Sequence, residues 1–144
     1  MLTIKGLDSV KVMLGNITTP GDYTPLLKSI GAKILTSIKT KTAIGIDYLN
    51  RKFNPYSEAY KKWKIKKGYS GIVNLNLTGQ MMGSLQVDVQ DTDVIVRMNN
   101  QEAIDKTTYN QDGRVPRPFM GVSPEVEAEI NEMIDKYVSD LLRK

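Results

Sequence analysis

The chain has 144 residues, 40% hydrophobic and 25% charged, with no cysteine, no histidine and a formal net charge of +4. This size and balance fit one globular domain with a core of its own, and the lack of cysteine excludes a disulfide framework or a thiolate metal site. The missing histidine removes the usual general base near neutral pH, the usual partner of a serine nucleophile and the commonest metal ligand.

The charge is unevenly spread. Residues 1–72 carry 13 basic and 4 acidic side chains, whereas residues 73–144 carry 7 basic and 12 acidic ones. Such a division suits polyanion binding by the first half, head-to-tail stacking of copies, or two solvated faces. No run approaches the roughly 18 apolar residues of a membrane span. The start, "MLTIKGLDSV", lacks the basic-then-apolar order of a signal peptide. The expectation is an intracellular protein with no membrane partner, in which the Asn-x-Thr patterns at Asn16 and Asn76 have no glycosylation role.

In chain order, Leu7, Val10 and Leu14 have helical spacing, with Met13 beside them, and predict a short first helix before the turn-rich "ITTPGDY". A long helix is expected over about residues 24–43. Thr24 can cap it, Pro25 suits its first position, and Leu26, Ile30, Ile34 and Ile38 recur every four residues, with Leu27 and Leu35 alongside. Gly31 inside that stripe carries a modest helix cost and is a candidate close-packing point.

Residues 44–80 read as a long irregular arm punctuated by Gly45 and Pro55. Within it "SEAYKKWKIKKG" suits a short helix that ends at Gly68, a residue fitted to a left-handed cap, with lysines favoured by the dipole in the last turn. An arm of this length is usually functional or ordered at an interface.

The clearest strand signal follows. Leu85, Val87 and Val89 alternate with polar residues, as do Val94, Val96 and Met98 beyond the polar "QDTD". This predicts an antiparallel hairpin with one buried face. "QEAIDKTTYNQDGR" is expected to be a short helix or turn, and "VPRPF" extended. The last helix opens with Ser123 as N-cap, Pro124 in the first position and Glu125 and Glu127 in the first turns. Val126, Ile130, Met133 or Ile134, Tyr137 or Val138, and Leu141 make its apolar face. The fold class is thus α+β in one domain, residues 1–144. A small antiparallel sheet (hairpin about 84–98) is packed by long helices over about 24–43 and 124–142, with the irregular arm about 44–80.

Catalytic chemistry finds little support. Asp88, Asp91 and Asp93 lack EF-hand spacing, Thr78 and Ser84 have no base in view, Ser70 lacks the glycine-x-serine-x-glycine elbow, and no glycine-rich phosphate loop occurs. No enzyme activity, metal or cofactor is expected. The lysine cluster has two readings. Tyr60, Trp63 and Tyr69 interleave with Lys61, Lys62, Lys64, Lys66 and Lys67, as in proteins that stack bases and neutralise phosphates. Alternatively Tyr60 and Trp63, three apart on a helix, pack inward while the lysines face water.

The order of several segments resembles the tail-completion and head–tail joining proteins of tailed phages, a virion-morphogenesis family. The segments are "IKGLDSVKVML", "GIDYLNRKFNPYSEAYKKWKIKKG", "NLTGQMMGSLQVDV" and "DGRVPRPFMGVSPE". The residues that carry the resemblance are Gly45, Asp47, Phe53, Pro55, Tyr56 and Ser57, then Thr78, Gly79, Met81, Ser84 and Leu85, then Arg117, Phe119, Gly121 and Ser123. It spans about residues 4–140 and departs between Met98 and Gly113, where Ala103 is present but no histidine.

The resemblance implies a non-enzymatic structural protein of the virion neck or tail, assembled in the host cytoplasm. It would form a homo-oligomeric ring of six subunits that terminates the tail tube and prepares it for head joining. Its partners would be the tail tube protein and the head–tail connector, with weak non-specific DNA contact in the channel. Candidate assembly-interface residues are Phe53, Tyr56, Tyr60, Trp63, Lys64, Arg117 and Phe119. Candidate channel contacts are Lys61, Lys62, Lys66 and Lys67. Bland roles stand beside these: Gly79 and Gly121 permitting positive backbone angles, Arg117 pairing with an acidic residue of the last helix, and Phe119 plugging the core. The competing assignments are a head-side connector of the neck and a small basic nucleic-acid-binding protein.

Overall fold

A computed structural model describes residues 2–3, 24–75, 80–90 and 93–143. The expected helix around Leu7–Leu14, the Asn-x-Thr patterns at Asn16 and Asn76, the Thr78–Gly79 step and Asp91 lie outside the described residues.

The elements are β1 (Leu2–Thr3), α1 (Thr24–Ala43), α2 (Glu58–Lys66), α3 (Gln80–Gly83), β2 (Leu85–Gln90), β3 (Asp93–Met98), α4 (Gln101–Asp112) and α5 (Pro124–Leu142). The architecture is α+β, as the sequence predicts. The three strands form one antiparallel sheet in the order β1-β3-β2. Leu85, Val87 and Val89 stand opposite Met98, Val96 and Val94 in register. These six side chains share one face, because alternate residues of a strand point the same way. The opposite face carries Gln86, Asp88, Gln90, Asp93 and Arg97 beside Ile95, and there Asp88 pairs with Arg97.

Helix α1 lies across the buried face of the sheet and packs along α5. Its stripe of Leu26, Leu27, Ile30, Ile34 and Ile38 is buried, with Val126, Ile130 and Ile134 of α5 joining the same core. Each such aliphatic side chain contributes about 1.5–3 kcal/mol on full burial. Gly31 is where α1 comes closest to the sheet: a Cβ there would stand 2.3 Å from Val87 Cγ1 and 3.2 Å from Val94 Cγ1.

Helix ends are set by local chemistry. The α1 terminus closes in a Schellman arrangement, with Gly45 at φ +85°, its N–H on the Thr42 carbonyl and the Ile46 N–H on the Lys41 carbonyl. At the start of α5 the Ser123 hydroxyl is fully buried and accepts the Val126 N–H at 3.3 Å. Asn100 caps α4 in the same way, accepting from the Ala103 N–H at 2.8 Å, and its amide donates to Ser84 Oγ at 2.7 Å. The segment "QEAIDKTTYNQD" is therefore a full helix.

Gly121 carries no positive backbone angle. A Cβ there would collide with the Tyr48 ring at 2.4 Å, so the glycine permits close approach of an aromatic face. Phe119 is buried in the core, 1% exposed.

Candidate functional site

The arm begins as a tightly tied loop. Asp47, nearly buried, accepts the N–H groups of Leu49 and Arg51 on Oδ1 and the Arg51 Nε on Oδ2, all at 2.9 Å. This turn brings Asn50 into the left-handed region at φ +65°, which asparagine tolerates better than most residues. Lys41 at the end of α1 then reaches both Asn50 Oδ1 and Glu125 Oε1, and the Asn50 amide donates to Glu125 Oε2 at 3.2 Å. The hydrogen bond from Lys41 is the largest cause that holds the Glu125 carboxyl down at about 2, with the Asn50 bond adding to it. One lysine thus ties the arm to the ends of two long helices.

Arg117 secures the next stretch. It is buried and extends across the arm, with Nε donating to the Asn54 carbonyl at 2.8 Å and Nη2 to the Pro55 carbonyl at 2.9 Å. The Asn54 amide returns a hydrogen bond to the Pro116 carbonyl at 2.8 Å. The partner of Arg117 is therefore backbone of the arm, not an acidic residue of the last helix. A planar guanidinium with several fixed donors suits two adjacent carbonyls.

Tyr56 sits between two cations, with the Arg117 guanidinium 4.9 Å and the Lys64 ammonium 5.1 Å from its ring centre. Its hydroxyl accepts the Leu75 N–H at 3.1 Å. Burial raises the Tyr56 pKa, and the Leu75 bond opposes that shift.

Helix α2 rises from this base. Ser57 caps it by accepting the Tyr60 N–H at 3.2 Å. Its far end is a second Schellman turn: Gly68 has φ +86°, its N–H reaches the Ile65 carbonyl, and the Tyr69 N–H reaches the Lys64 carbonyl. The return loop is held beneath the helix by Lys64, which is fully buried and donates to Asn74 Oδ1 at 2.8 Å and to the Ile72 carbonyl at 3.4 Å. Burial lowers the Lys64 pKa. Among the described residues, helix α2 shares no extensive packing with any other helix or strand. It stands on its own return loop, so the arm contains an ordered helical turn rather than being irregular throughout.

The structure sorts the sequence-predicted residues into two groups. Phe53, Lys64, Arg117 and Phe119 are buried within the chain, and Tyr56 is half-buried against them. These five hold the surface in place, and the four buried ones offer almost no contact area themselves. Tyr60 and Trp63 are exposed at 37% and 43%, with rings stacked at 5.7 Å, so they do not pack inward. Lys61, Lys62, Lys66 and Lys67 are exposed around them. The two aromatics with Lys61, Lys62 and Lys66 of α2, and Lys67 at its C-cap, make up an exposed ridge.

Sequence reasoning missed Asp47 as the organiser of its loop, Asn50 and Glu125 as the tie to Lys41, and Asn74 as the partner of Lys64. An Asp followed by Asn at a helix exit is a turn signal that would have found the first two. Asn74 had no local signal, because its partner lies ten residues away across a Schellman turn.

Among the described residues no helix is long and apolar enough to cross a membrane, and no three acidic, histidine or cysteine side chains are grouped to hold a metal ion. A family model described as the phage virion morphogenesis family matches residues 7–139. No curated protein and no solved structure gives a match to the chain.

Proposed function

The chain belongs to the phage virion morphogenesis family, and from that premise we propose that it completes the tail at the neck of a tailed-phage or tail-like particle. It caps the head-proximal end of the tail tube as a homo-oligomeric ring, six subunits by family resemblance, and presents a new face to the head–tail connector. The work is geometric: a ring seated on the last tube layer blocks further polymerisation. No bond is made or broken, and no metal or cofactor takes part.

The observation that carries this reading is the family match, which runs from residue 7 to residue 139 and so takes in every described helix apart from the last residues of α5, together with both hairpin strands. The arm adds support. Seven of the ten large apolar side chains exposed among the described residues lie between Ile44 and Ile72. Exposed apolar side chains concentrated in one ordered segment suit a protein contact.

The test is localisation. Gold-labelled antibody against the chain, applied to purified particles, should decorate the junction of head and tail. Label confined to tail fibres, baseplate or capsid shell would reject the neck assignment. A head-side connector would label the same junction but remain on isolated full heads rather than on isolated tails.

A further inference from the structure

The exposed charges without an ion pair among the described residues include two groups of opposite sign. On α2 and its C-cap, Lys61, Lys62, Lys66 and Lys67 are exposed and make no ion pair among the described residues. On α5, Glu127, Glu132, Asp135 and Asp140 are exposed and likewise make no ion pair among the described residues, with exposed Lys136 four residues from both Glu132 and Asp140. Elsewhere on the same helix the acids are used: Glu125 and Glu129 pair with Lys41 and Lys33 of α1. Helix α5 therefore already receives lysines from a neighbouring helix along one flank, while its four other exposed acids have only Lys136, on the same helix, beside them.

We propose that the α2 ridge of one protomer docks on the outward acidic face of α5 in a second copy of this chain. The proposal rests on the ring reading given above and names the surfaces through which its subunits meet. Three observations select a second copy as occupant. The net charges are opposite, four lysines with Glu58 on one side against four acids with Lys136 on the other. The ridge carries Tyr60 and Trp63, and aromatic side chains anchor protein interfaces at low conformational cost. The α2 helix is held rigidly by buried Lys64 and by its two caps, so little order has to be gained on docking. The contact joins different surfaces on the two partners, so it is heterologous and repeats from copy to copy until it closes into a ring. Nucleic acid would satisfy the lysines but not the acidic face of α5.

The experiment uses charge reversal in the full chain. One variant carries Lys62→Glu and Lys66→Glu, the other Glu132→Lys and Asp135→Lys. All four positions are exposed, so both variants should fold, which circular dichroism checks. Self-association is read by sedimentation velocity at low and high salt. The wild-type chain should associate, and each variant alone should associate at least about tenfold more weakly, because like charges now face each other. An equimolar mixture of the two variants should recover assembly, because each contact again joins opposite charges.

Variants that assemble as the wild type does, or a mixture that stays dissociated, would overturn the proposal. So would a wild-type chain that remains monomeric throughout, and that result would leave the neck assignment standing, since localisation on particles tests it separately. Salt-sensitive binding of the wild type to double-stranded DNA, lost in the lysine variant while self-association is unchanged, would assign the ridge to nucleic acid instead.

Discussion

Replacing Gly31 with alanine should destabilise this protein, although alanine is the better helix former. In an unconstrained helix the change would stabilise by about 1 kcal/mol. Here the new Cβ would stand 2.3 Å from Val87 Cγ1, with Val94 Cγ1 at 3.2 Å on the neighbouring strand. Carbon atoms rest at about 3.5–4.0 Å, so relief requires a shift of more than about 1 Å. Valine is stiff about χ1 and is not free to swing away. Overpacking of this kind costs about 1–3 kcal/mol. The net expectation is a loss of about 1 kcal/mol for Gly31→Ala. In a Val87→Ala background the 2.3 Å clash is gone and only the 3.2 Å contact with Val94 Cγ1 remains, which a shift of a few tenths of an ångström relieves, so the same change should stabilise by about 1 kcal/mol. The coupling between the two sites is then about 2 kcal/mol, well above the error of a double-mutant cycle. Urea denaturation of the four proteins measures it, provided the m-values agree. Simple additivity, or a stabilising Gly31→Ala in the wild-type background, would refute the close approach of α1 to β2.

Three further outcomes follow from the capping and clamping contacts. Ser123→Ala should lower stability by about 1 kcal/mol in the same denaturation assay, since the buried hydroxyl caps α5; an unchanged midpoint would contradict that role. Arg117→Met should cost about 2 kcal/mol or more by leaving the Asn54 and Pro55 carbonyls without their charged donor, and should speed limited proteolysis within residues 51–57. Arg117→Lys should rescue it only in part, because an ammonium lacks the planar fork. For Glu125 the pKa is lowered from 4.5 to about 2, so its contribution is complete above about pH 4.5 and is lost as pH falls towards 2. The stability difference between the wild type and Glu125→Gln should shrink across that window, and a difference independent of pH would contradict the Lys41 tie.

The backbone plan was legible because its signals are periodic and local. The four-residue stripe of α1, the alternation in β2 and β3, and the serine–proline start of α5 each report one element with its buried face. Gly68 was legible as a left-handed cap for the same reason. The site was harder, because side-chain burial in the arm depends on contacts distant in sequence. Lys64 looks like one lysine among five, yet it is the one turned under the helix, where Asn74 and Tyr56 meet it. Trp63 beside it, the natural candidate for burial, is on the outside. Arg117 and the Asn54–Pro55 carbonyls are more than sixty residues apart, and no pattern of charge links them. Gly121 was visible as a special residue, but its reason, the Tyr48 ring, belongs to the other end of the chain.

The most direct test of the account is the length distribution of tails made when the gene for this chain is deleted from the element that encodes it. Electron microscopy of the particles should show overlong or ragged tails beside full, unattached heads, because nothing caps the growing tube. Tails of normal length that fail to join heads would contradict tube termination and shift the role to the connector. Intact particles in normal numbers would contradict an essential place in assembly altogether.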